Sequence, residues 1–163
     1  MTRQKWCIVQ PKSGTIKFDE GLNISKHSEE IEMAKFLNDL FGGELTVLKE
    51  ANIQGVKTAD FLWNNKLWDL KTVTTEKSAD SAIRKGLKQI KDNPDGIILD
   101  YRNREVSLDS VFKVVDGRTR RGIEESVDIM LVLGKNKVKV YRYKKRKPPR
   151  QYGQRFFLNI KIS

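Results

Sequence analysis

The sequence predicts a single α/β domain in which a mixed central β-sheet is flanked by helices. Three observations carry that reading. ADFLW and LWDLKTV flank Asn64-Asn65, whose tolerance of positive φ suits a tight hairpin turn. A helical repeat over residues 79–91 is followed after one turn by the short apolar strand GIILDY, giving a strand, helix, strand unit. VDIMLVLG and KVKVYRY form a second hairpin around Gly134-Lys135-Asn136, and 163 residues suit one core rather than two.

Taken in order, residues 1–22 read as a lead-in to which no element is assigned, and residues 23–163 hold the domain. Ser25 or Ser28 can cap the first helix, because a serine oxygen accepts from the free amides of the first turn, and Glu29 and Glu30 complement the positive helix end. That helix should run to about Leu40 and stop near Gly42-Gly43. ELTVLKE alternates as a strand, NIQG turns the chain, and the first hairpin follows. The next helix, from Asp80 to Lys91, has Ala79, Ala82, Ile83, Leu87 and Ile90 at helical spacing, and DNPDG ends it. VSLDSVFKVV reads as a third helix and RFFLNIKIS as a last strand, with no internal repeat. The run from Lys144 to Arg150 is basic, and its prolines disfavour regular structure.

Composition narrows the function. Thirty-two Lys and Arg against twenty-one Asp and Glu leave a net charge of +11, a balance that favours polyanionic partners such as nucleic acid. One cysteine, Cys7, forms no internal disulfide, and with one histidine, His27, there is no Cys/His zinc constellation. Any metal is therefore held mainly by oxygen, which points to magnesium, manganese or calcium. No apolar run reaches about 18 residues and the first residues lack a secretory pattern, so we expect a protein without a membrane anchor that acts in the cytoplasm.

The chemistry concentrates in KTADFLWNNKLWDLKT, Lys57 to Thr72. Side chains two apart on a strand share a face, so Asp69 and Lys71 point one way, and Trp68, Leu70 and Thr72 the other. The hairpin brings Asp60 nearly opposite Asp69. Adjacent carboxylates repel, and burying them costs several kcal/mol unless something positive joins them. A divalent cation resolves the conflict. Glu30 projects into the arc of Ala34, Leu37 and Phe41 on the first helix, whereas Glu32 lies almost opposite. Taken singly, Glu30 in water would merely complement the helix dipole, and an isolated Asp-x-Lys is usually an exposed salt bridge.

The joint order, helix acid, strand acid, hairpin, then acid-x-lysine, resembles the PD-(D/E)XK nuclease superfamily with its restriction-endonuclease-like fold. The matching residues are Glu30, Asp60 and Asp69-Leu70-Lys71. A closer similarity covers roughly Lys26 to Tyr101. EIEMAKFLNDLFGGELTVLKE, KTADFLWNNKLWDLKT and IRKGLKQIKDNPDGIILD look like the C-terminal nuclease domains of bacterial contact-dependent growth inhibition toxins and related phage and mobile-element domains. The resemblance implies a metal-dependent nuclease, with tRNA the substrate in the toxin branch. Two departures stand out: Ala59 replaces the proline before the strand acid, and Glu32 is an alternative helix acid. Outside Lys26 to Tyr101 nothing is inherited.

On that resemblance, Asp60 and Asp69, with Glu30 through water and the Leu70 carbonyl as a further ligand, would hold Mg²⁺ or Mn²⁺ to polarise the scissile phosphate and activate a water. Lys71 would orient or deprotonate that water, or serve only as counter-ion to the acids. Arg84, Lys85, Lys88 and Gln89 on the next helix flank its apolar stripe within reach of a phosphate. Lys144, Lys145 and Arg146, interleaved with Tyr141 and Tyr143, offer a track for a nucleic-acid backbone or for an acidic inhibitor. Thr72, Thr74 and Thr75 can donate to phosphate or satisfy strand-end backbone. His27 reads as a capping or surface residue, and Trp63 and Trp68 as core. DNA is the alternative substrate, and a non-catalytic nucleic-acid-binding module the alternative of another class. A toxin needs an immunity partner in its producing cell, and +11 of charge makes an acidic protein the expected one.

Overall fold

Charge, turn residues and apolar spacing resolve into one mixed sheet with helices on both faces. The computed structural model describes residues 7–8, 12–50, 58–89, 94–120, 127–134, 137–143 and 156–161. Among these, nine strands and three helices occur: β1 (Cys7–Ile8), β2 (Gly14–Phe18), α1 (Ser28–Phe41), β3 (Gly43–Val47), β4 (Phe61–Trp63), β5 (Lys66–Thr72), α2 (Ser78–Gln89), β6 (Gly96–Asp100), α3 (Leu108–Arg120), β7 (Val127–Val132), β8 (Lys137–Tyr143) and β9 (Phe156–Lys161). The sheet order is β1-β9-β8-β7-β6-β5-β4-β3-β2. Strands β5, β6 and β7 run parallel, joined through α2 and α3, while the two hairpins are antiparallel. None of the described helices is long and apolar enough to cross a membrane.

Two apolar layers sandwich the sheet. On one face Met33, Ala34 and Leu37 of α1 pack on Leu45, Phe61, Trp63 and Trp68. On the other, Ala79, Ala82 and Ile83 of α2 and Val111 and Val115 of α3 pack on Ile97, Leu99, Ile129 and Leu131. The alternation of β5 therefore sends Leu70 toward α1 and leaves Asp69 and Lys71 on the α2 face.

The first hairpin forms as expected. Asn64 and Asn65 both hold positive φ, 48° and 62°, as a two-residue turn of this hand requires. Helix α1 stops where the two glycines take left-handed φ, 64° at Gly42 and 89° at Gly43, and Trp63 Nε1 donates to the Gly42 carbonyl at 3.0 Å.

Two expectations are corrected. Part of the lead-in is structured: Gly14–Phe18 is an edge strand parallel to β3, secured by the buried Asn38, whose Nδ2 donates to the Thr15 and Gly43 carbonyls at 3.3 and 3.1 Å. Helix α1 is entered at His27 with no side-chain cap; Ser28 is already helical and Ser25 hydrogen-bonds Asn23 instead. The NIQG turn, Ile90-Lys91, Lys135-Asn136 and the basic run from Lys144 to Arg150 lie outside the described residues.

Candidate active site

The hairpin register pairs Phe61 with Trp68, which sets Asp60, the residue just before β4, level with Asp69. Asp60 straddles two neighbours: its N–H donates to the Trp68 carbonyl at 2.9 Å and its own carbonyl accepts from Leu48 N–H at 2.9 Å. Its carboxylate accepts from Leu70 N–H at 2.6 Å. A strand residue's N–H and C=O project to the same side, so the Leu70 carbonyl also faces the open end of β4.

Asp69 is buried, 4% exposed, and its Oδ2 lies 2.7 Å from Lys71 Nζ. That approach is off the hydrogen-bonding direction, and Oδ2 accepts no well-directed hydrogen bond among the described residues. Burial pushes the Asp60 carboxyl up to about 7; the Leu70 amide opposes this, the Asp69 charge adds to it, Lys71 opposes it and Glu30 adds a little more. Asp60 thus feels all three other groups of the sequence motif.

Glu30 stands at the start of α1, half-buried, with Oε1 3.6 Å from His27 Nδ1, while Glu32 is exposed. Its neighbour Glu29 makes the contact to β5, accepting from Thr72 Oγ1 at 3.0 Å. Among the described residues no three Asp, Glu, His or Cys side chains are arranged to hold a metal ion as they stand. Asp60 feels the charge of Asp69 more strongly than that of Glu30. The donor set still suits a hard divalent cation, since two carboxylates with net repulsion and a free-facing carbonyl are all oxygen.

Helix α2 covers Asp69. It opens with a reciprocal cap, Thr75 N–H to Ser78 Oγ at 3.1 Å and Ser78 N–H to Thr75 Oγ1 at 3.3 Å, so Thr75 serves the backbone. Tyr101 Oη donates to the Thr75 carbonyl at 3.0 Å and Ser107 N–H to Glu76 at 3.0 Å, lacing the two loops at the carboxyl ends of β5 and β6. Arg84, Lys85 and Lys88 are exposed on α2, and Gln89 is its last residue. Lys144, Lys145 and Arg146 lie outside the described residues. Trp63 and Trp68 are buried together with ring centroids 5.8 Å apart.

Two residues here escaped the sequence reading. Arg102 grips Asp100 through Nε at 3.0 Å and Nη2 at 2.8 Å and lies over Phe36, beside Thr72's strand. The Asp-x-Arg spacing was the only signal for it. Gly86, inside α2, faces the Asp69 carboxylate.

No family model matches the sequence, and no curated protein matches it. Among solved structures, a CdiA-CT/CdiI toxin and immunity complex from Burkholderia pseudomallei is similar in fold, with a TM-score of 0.52 at 13% identity, over 84% of this chain and 100% of that one. At that identity the likeness speaks for a shared fold.

Proposed function

We propose that this chain is a metal-dependent nuclease of the toxin type, with tRNA its favoured substrate and the cytoplasm of a bacterial cell its place of action. The observation that carries the proposal is the meeting of Asp60, Asp69 and Lys71 where β4 begins, beside the start of α1. A net charge of +11 and a structural neighbour that is a toxin and immunity complex support it.

Asp60, Asp69 and the Leu70 carbonyl would hold Mg²⁺ or Mn²⁺, with Glu30 through water. When bound, the ion supplies Lewis-acid activation of a phosphate and of a water. The chain does the rest. Lys71, fixed by Asp69, orients a water and offsets charge on the phosphate. Arg84, Lys85 and Lys88 take backbone phosphates along the exposed side of α2. An acidic immunity protein would cover the same positive surface.

Incubation of the purified protein with total tRNA and with plasmid DNA, each with Mg²⁺ or EDTA, tests this. Mg²⁺-dependent new ends in tRNA alone are expected. Cleavage of DNA alone would move the substrate assignment, and nucleic-acid binding with no metal-dependent cleavage of either polymer would leave a binding module.

A further inference from the structure

A glycine inside a helix weakens it relative to alanine, so Gly86 in the middle of α2 needs a reason. Its surroundings supply one. A Cβ at Gly86 would lie 2.9 Å from Asp69 Oδ2 and 3.0 Å from Ile97 Cδ1. Ile97 Cδ1, at 3.0 Å, need give only a few tenths of an ångström. Asp69 cannot yield freely, because its carboxylate is buried and tied to Lys71.

We infer that Gly86 is a positioning residue: the absence of a side chain lets the α2 backbone rest against the Asp69 carboxylate and holds it on the side facing Lys71. A methyl group at this position has two ways to fit. Either the carboxylate turns, which changes its aim, or α2 lifts, which moves Arg84, Lys85 and Lys88 away from the acids. The inference rests on the nuclease reading only for its kinetic consequence.

Thermal unfolding of four variants, Gly86→Ala, Asp69→Ala, the double Asp69→Ala/Gly86→Ala and the double Ile97→Val/Gly86→Ala, decides the contact without any assay of cleavage. With Asp69 truncated, Gly86→Ala should raise Tm by about 1–4 °C, the ordinary gain of alanine over glycine in a helix. With Asp69 intact, the same change should lower Tm, and Ile97→Val should not restore the gain. Equal shifts in both backgrounds, or full restoration by Ile97→Val, would overturn the inference. If Gly86→Ala alone fails to fold while the Asp69 double variant folds, the contact is supported; failure of both overturns it.

In the kinetic arm, Gly86→Ala should lower kcat on tRNA by about tenfold or more with KM within about twofold. A KM effect without a kcat effect would count against positioning. A coupled thermal cycle in a protein that cleaves nothing would sink the nuclease reading while keeping Gly86 as the residue that seats Asp69.

Discussion

Asp69 and Asp128 are two buried aspartates one register step apart on opposite faces of the same sheet, and their surroundings differ in kind. Asp128, in the row of Trp68 and Gly96, receives Arg142 Nε at 3.1 Å and Lys66 Nζ at 3.6 Å. Two cations close that site. Asp69 has one cation, Lys71, and a second acid, Asp60, level with it across the hairpin. A buried charge with surplus partners is a structural tie; one with surplus like charge is where the proposed cation would sit.

The largest effect that could break this contrast is on cleavage. Asp69→Ala should cost on the order of 10²–10³ in kcat while RNA affinity in EDTA persists. Asp128→Asn should leave kcat within about twofold and lower the free energy of unfolding by only about 1 kcal/mol, because Lys66 and Arg142 are exposed and water replaces the lost acid. Single-turnover cleavage and urea unfolding of both variants measure the two sides. The lysines should divide the same way. Lys71→Met should lower kcat by about 10–10²-fold and Lys66→Met should leave it unchanged; equal retention of activity in both would make Lys71 a counter-ion only.

The next effect is on stability against pH. Asp60 is raised from 3.8 to about 7 in the folded chain, so between those values the native state holds a proton that the unfolded chain has released. Stability is therefore highest below about pH 4 as far as this group is concerned, and it is lost as pH rises through 7, by about 2–4 kcal/mol. Asp60→Asn should remove that slope. Mn²⁺ competes with the proton, so it should raise Tm more at pH 8 than at pH 5.5.

The smallest effect concerns a third buried charge, Lys139, which is 1% exposed with Nζ 3.4 Å from the Phe112 ring centroid. Burial lowers its pKa from 10.5 to about 8, against the pull of Asp109. Stability should rise as pH climbs from about 8 toward 10.5, where the folded chain sheds the proton first. Lys139→Met should flatten that rise in thermal scans.

Legibility followed the range of the interaction. The hairpin and its acid pair were readable because Asn64-Asn65 fixes them within a few residues, and the α1 stop because its glycines are local. Strand β2 was missed because GTIKF is short and mostly exposed, and only its pairing with β3 and the amide of Asn38 reveal it. Helical phase placed Glu30 toward the acids but could not show that Glu29 reaches Thr72. Gly86 was unreadable for the opposite reason: its meaning comes from a carboxylate seventeen residues earlier on another element.

The placement of Asp60 and Asp69 on the two arms of one tight turn has a kinetic consequence. They meet when that turn zips up, long before α1 or α2 needs to arrive. Until those helices arrive both carboxyl groups stand in water, so the burial that raises Asp60 comes only with the closing of the sheet, and that step takes up the proton. The tempo at which the whole sheet assembles should thus carry an imprint of proton concentration written into one short loop.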